Sequence, residues 1–272
     1  MELNIETRTI AVMQQELRDE LEGSLEEIKF IVANAKDLAG LESELEPFYL
    51  DLQPTEKDKA IFKASLGLSY KIHVQRLEQA RDSGHSAIIH PLQVGYISQE
   101  LGLSPMHVGI DFLHDAVIEN DYKHRIENMK MVIEVFNSIN KGLGNYMRYY
   151  LIALSAKPNN DPIKKKDDLM QKIVRMGSNA NRQGLFPGED TLANLLIHKQ
   201  CDNVGNLYDL RFMSGKNGIE SVVRQANKLR ISDKYLSLVR EKGINMIGKS
   251  GLDFNEYTQI LVKEHKERLH LQ

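Results

Sequence analysis

Residues 104–117 read Ser104-Pro105-Met106-His107-Val108-Gly109-Ile110-Asp111-Phe112-Leu113-His114-Asp115-Ala116-Val117. Ser104 suits the N-cap of a helix and Pro105 its first position, where a missing N–H costs nothing. Val108, Phe112, Leu113 and Val117 then recur at helical rather than alternating spacing. The segment is therefore a helix, with His114-Asp115 lodged in its apolar run. Two polar groups in such a run are costly unless paired. On its own, the pair reads most simply as a hydrogen-bonded core feature.

The neighbouring segments repeat the helical period. Upstream, Met13, Leu17, Leu21, Leu25, Ile28 and Val32 form one stripe at intervals of three and four. The stretch 37–58, with Gly40, Pro47 and Pro54 among charges, reads as a connector. Residues 57–81 are helical until Asp82-Ser83-Gly84 interrupts them. Pro91 suits the first turn of a helix that carries Val94, Ile97 and Leu101 and closes at Gly102.

Downstream, helices are expected at about 126–139 and 145–156, separated by Gly142 and Gly144. A loop-like zone over 157–191 holds Lys164-Lys165-Lys166 and a short helix near 167–177. Helical spacing resumes at Leu192, Leu195 and Leu196 and runs to Leu210, with two or three more helices after the Gly-rich break at 214–218. Period-two patterns are nearly absent, so the expected fold is all-α. The divisions expected are an acidic helical extension over 1–55, a central domain over 56–212 and a C-terminal helical extension over 213–272.

Of the 272 residues, 42% are hydrophobic and 27% charged, which excludes disorder throughout. The net charge of −3 gives no footprint for a nucleic-acid partner. Residues 1–58 carry 15 acidic and 5 basic side chains, leaving +7 on the remainder. That mildly basic body suits an anionic small molecule, although acidic residues that merely solubilise the first helix explain the asymmetry as simply. The one cysteine, Cys201, can build neither an internal disulfide nor a Cys-based zinc site. No run approaches a membrane span of about 18 residues. A cytoplasmic setting fits these features, and the oligomeric state stays open, a homo-oligomer included.

Two further elements give His114-Asp115 a chemical context. His90 directly precedes Pro91 at a helix start, and Asp202 shares a helix face with Asn206 four residues on. Imidazoles and carboxylates together bind divalent manganese, iron or zinc and leave positions open for water. Signatures of P-loop, serine-hydrolase and zinc-protease sites are missing.

Gln79-Ala80-Arg81-Asp82-Ser83-Gly84, then Ile89-His90-Pro91, then Phe112-Leu113-His114-Asp115, then Lys199-Gln200-Cys201-Asp202 with Asn206 resembles the HD-domain metal phosphohydrolases. Within them the likeness is greatest to the hydrolase domain of RelA/SpoT-type enzymes, and it covers roughly residues 60–212. The resemblance implies an HD-domain helical bundle with extra N- and C-terminal helices. It makes His90, His114, Asp115 and Asp202 the ligands of one divalent ion, Mn2+ in this family. It also assigns Arg81 to stacking on guanine, with Ser83 and Asn206 on the nucleotide. The implied reaction is removal of pyrophosphate from the 3′ position of a guanosine polyphosphate. The alternatives are an HD phosphohydrolase on another nucleotide or phosphoester, and a non-catalytic HD-fold binding module.

Three positions depart from the family pattern. Asp82 follows the stacking Arg where a basic residue is usual. Ala116-Val117-Ile118-Glu119 puts Ile118 where the family has a Glu, which leaves Glu119, with Asp121 as its stand-in, to serve as acid/base. Leu207-Tyr208-Asp209 follows Asn206 where Met-Arg-Thr is common, and an extra anion near a phosphate costs binding.

Overall fold

The computed structural model describes residues 2–50, 54–76, 86–116, 122–156, 161–212 and 218–268. The fold is all-α, about 81% helical, without a strand among the described residues. Among the described residues eleven α-helices follow in order: α1 Glu2–Asn34, α2 Leu38–Tyr49, α3 Glu56–Tyr70, α4 Ile89–Glu100, α5 Pro105–Leu113, α6 Tyr122–Ile139, α7 Leu143–Leu154, α8 Pro162–Gln183, α9 Thr191–Asp209, α10 Gly218–Glu241 and α11 Phe254–Arg268. A π-helical turn, Lys71–Arg76, extends α3.

Local chemistry sets the helix ends. Asp37 caps α2 by accepting from Gly40 N at 2.8 Å. Thr55 and Asp58 form a reciprocal capping box at the start of α3. Gly102 takes φ +76° after α4, a left-handed conformation that releases the chain into Ser104 and Pro105, the latter at the head of α5. Asp190 caps α9 through Ala193 N at 3.0 Å.

Two expectations need correction. The stretch 37–58 is not a plain connector: it contains α2, whose Leu41, Leu45 and Tyr49 form a buried stripe at intervals of four. The zone 157–191 is not loop-like with a short helix, because α8 spans 22 residues. In α8, Leu169, Met170, Ile173 and Ala180 are buried at helical spacing while the lysine run lies near its start. The region after 213 holds two helices among its described residues.

Three central helices organise the rest. Every residue of α4 from Ile89 to Gly95 and of α5 from His107 to Leu113 is buried, and so is most of α9. Their buried polar side chains must therefore find partners inside the protein. Glycines let them approach: a Cβ on Gly95 would meet Phe112 Cε1 at 2.4 Å, and one on Gly205 would meet Val94 Cγ2 at 2.9 Å and His90 Cε1 at 3.3 Å. One core cluster joins Leu41, Phe62, Leu92, Phe112, Phe136, Tyr150 and Leu195. A second, containing Leu25, Val94, Val204 and Phe254, lies where α1, α4, α9 and α11 meet. At its edge Arg211 forks to Glu22 of α1 at 2.7 Å and Glu264 of α11 at 2.6 Å. No helix among the described residues is long and apolar enough to cross a membrane.

Candidate metal centre

His90 is the second residue of α4, and Asp202 lies mid-way along α9. α5 stops at Leu113, so His114 and Asp115 stand in the turn just beyond it rather than inside a longer helix. Ala116 N donates to Leu113 O at 3.1 Å, and Asn128 Nδ2 of α6 donates to Ala116 O at 2.7 Å. The turn is thereby held from two sides.

These elements bring three of the expected donors, His90, His114 and Asp115, into one group and set Asp202 against both imidazoles. Donor atoms of His90, His114 and Asp115 all lie within 4.8 Å of one another. His90 Nε2 is 3.8 Å from Asp115 Oδ2 and 3.2 Å from Asp202 Oδ1. His114 Nε2 is 3.3 Å from Asp115 Oδ1 and 3.5 Å from Asp202 Oδ1. Donors held about 2.1 Å from one ion stand about 3.0–3.4 Å apart, so the spacing suits a single divalent cation.

The imidazole orientations suit it too. His114 Nδ1 is 2.6 Å from Asp111 O, and only a protonated Nδ1 can donate to a carbonyl. That leaves the Nε2 lone pair facing the carboxylates, and this buried nitrogen has no hydrogen-bond partner. His90 Nδ1 faces Asp209 Oδ2 at 3.5 Å, so its Nε2 also points inward. The carbonyl bonded behind His114 is the arrangement that fixes a metal-binding tautomer. His90, His114 and Asp202 are buried, whereas the Asp115 side chain is 37% exposed and marks the open side.

Cations surround the Asp202 carboxylate. Lys199 donates to its Oδ2, and Lys166 Nζ lies 3.8 Å from the same atom. Burial, then the Lys166 charge, pushes the Lys199 pKa well below the usual lysine value, against the pull of Asp115 and Asp111. Asn206 Nδ2 donates to Asp202 Oδ1 at 2.6 Å, which places this residue against a donor carboxylate.

Arg81, Ser83, Glu119 and Asp121 lie outside the described residues, as do Asp82 and Ile118. Asp209, read from sequence as an anion beside the substrate, is buried behind His90. His198, Lys199, Asp202, Asn206 and Asp209 recur at helical spacing along a helix that is mostly buried. That polar stripe was the signal for Lys199 and Asp209.

No family model matches the chain. Neither a curated protein nor a solved structure matches it.

Proposed function

We propose that this chain is a metal-dependent phosphohydrolase that holds one divalent ion through His90, His114, Asp115 and Asp202. The observation that carries the reading is the convergence of two inward-facing imidazole nitrogens and two carboxylates at 3.2–3.8 Å, with the His114 Nε2 lone pair unsatisfied. A divalent ion bound there would supply Lewis-acid polarisation and a water of lowered pKa. Manganese is the ion proposed, from the likeness to the HD-domain enzymes.

The protein's own groups have separate tasks. Asp111 O holds the His114 imidazole in orientation, and Asp209 faces the His90 imidazole at 3.5 Å. Lys166 offsets the carboxylate charge and favours an anionic substrate, which makes a phosphoester more suitable than a neutral ester. Asp115, on the open side, faces the direction from which that substrate arrives. Removal of pyrophosphate from a guanosine 3′-diphosphate is the specific reaction proposed. It rests on the sequence likeness, as do the roles of Arg81, Ser83, Glu119 and Asp121. A cytoplasmic location belongs to the same proposal and is in keeping with the single, buried, unpaired Cys201.

The test is release of phosphate or pyrophosphate from a nucleotide panel that includes guanosine 3′-diphosphates, with and without added Mn2+. Mn2+-dependent pyrophosphate release from the guanosine substrate is expected. Release from another nucleotide alone would move the assignment to a different phosphoester. Nucleotide binding without turnover would favour a binding module.

A further inference from the structure

A second polar cluster lies beneath the donors and is fully buried. Asp111 of α5 is 1% exposed, Ser98 of α4 0% and His198 of α9 1%. Ser98 Oγ donates to Asp111 Oδ2, and His198 Nδ1 donates to the same carboxyl group, 2.9 Å from each oxygen. With its proton on Nδ1, His198 accepts at Nε2 from His107 Nδ1 at 2.9 Å. His107 Nε2 in turn accepts from Asn194 Nδ2 at 3.3 Å. Tyr146 OH lies 3.1 Å from that nitrogen and donates to Glu189 at 2.8 Å. The bonds run in one direction from Asn194 to Asp111, and every ring nitrogen along them has a partner.

The cluster joins the same three helices that bring the metal donors. Asp111 precedes His114 and Asp115 by three and four residues, and His198 precedes Asp202 by four. Each interval is about one helical turn, roughly 5.4 Å. Ser98 lies eight residues, just over two turns, beyond His90 on α4. Asp111 also supplies the carbonyl that accepts from His114 Nδ1.

A buried carboxyl group with two polar partners is a costly way to join helices, because well-packed apolar residues often hold them as firmly. Its distinguishing property is direction: a ring N–H and a hydroxyl meet a carboxylate in one register, whereas apolar contacts tolerate sliding. We infer that Ser98, Asp111 and His198 are positioning residues that set the spacing of the donors on α4, α5 and α9. This inference rests on the metal-site reading of the proposed function. A clamp one turn away can matter because a shift of about 1 Å in a binding constellation is enough to impair it.

The test uses the full chain and Mn2+ alone. Mn2+ affinity and the electron paramagnetic resonance spectrum of the bound ion are measured for the parent, His198→Leu, His198→Asn and Asp111→Asn, with thermal midpoints recorded without metal. His198→Leu fills similar space but cannot donate, so Mn2+ binding should weaken at least tenfold and the spectrum should change. His198→Asn, whose Nδ2 can take the place of the ring Nδ1–H, should bind within about threefold of the parent with a parent-like spectrum. Asp111→Asn, the milder disruption, should weaken binding three- to tenfold and keeps the test decisive if His198→Leu fails to fold. Parental affinity and spectrum in the folded disrupting variants would overturn the inference while leaving the metal site standing. A parent that binds no Mn2+ would instead remove the proposed function, and this inference with it.

Discussion

The proposed donor set and the cluster one turn below it use the same residue types on the same three helices, yet they differ in satisfaction. In the lower cluster, Asp111, His198 and His107 are buried and each ring nitrogen is hydrogen-bonded. In the upper one, His114 Nε2 is buried without a hydrogen bond and Asp115 reaches solvent. Buried polar groups that satisfy one another hold a structure together, whereas a buried lone pair left unsatisfied beside carboxylates has capacity for a ligand. Residue type alone does not separate the two roles. Geometry does.

The largest test of that contrast removes an upper donor. His114→Ala should weaken Mn2+ binding by two orders of magnitude or more while the metal-free thermal midpoint changes by only a few degrees; calorimetric titration and a melting curve check both. Asp209→Asn leaves all four donors in place but alters the group behind His90. It should cost about tenfold in Mn2+ affinity by the same titration.

Gly205→Ala probes both layers through packing. Its Cβ would press on Val94 and the His90 ring, so a stability loss of about 1–3 kcal/mol and a measurable drop in Mn2+ affinity are expected. Denaturant unfolding and titration on the same sample separate the two effects.

The lower cluster predicts a pH dependence. Burial, with the neighbouring His198, lowers the His107 pKa from 6.5 to about 3. Between these values the unfolded chain binds a proton that the folded chain does not, so stability is full above about pH 6.5 and falls as pH drops toward 3. The loss attributable to this group should be on the order of 1–2 kcal/mol by pH 5. Unfolding at pH 7 and pH 5 should show a smaller difference in His107→Gln. The smallest effect belongs to the half-exposed rim: Lys166→Ala should raise KM for the phosphoester a few-fold with kcat little changed, and added salt should reduce the gap between variant and parent.

The central helices were legible because their signals are local. Pro91, Gly102, Ser104 and Pro105 mark ends by backbone chemistry that acts within a few residues. α2 and α8 were hidden by the same signals in excess: Gly40, Pro47 and the prolines near 160 suggested loops, and the buried faces of those helices outweighed them. His90, His114, Asp115 and Asp202 stood out as a spaced pattern. The partners of His107 did not, since Tyr146, Glu189 and His198 reach it only after α5, α7 and α9 have packed. Asp209 had the right spacing to be found, but whether it faces substrate or the back of His90 depends on how α9 crosses α4.

The Arg211 fork ties Glu22 to Glu264, and its consequence concerns synthesis. On a ribosome, the segment carrying Glu22 emerges first, must wait for some 190 further residues before Arg211 exists and for some 240 before Glu264 completes the fork, about 12–50 s at ordinary elongation rates. During that interval the apolar stripe through Leu21 and Leu25 lacks the α11 side of its cover, Tyr257 and Leu261 among it. The nascent chain therefore has a long window in which chaperones, or other nascent chains, compete for this stripe, and slowing translation late in the message should lower the yield of folded protein.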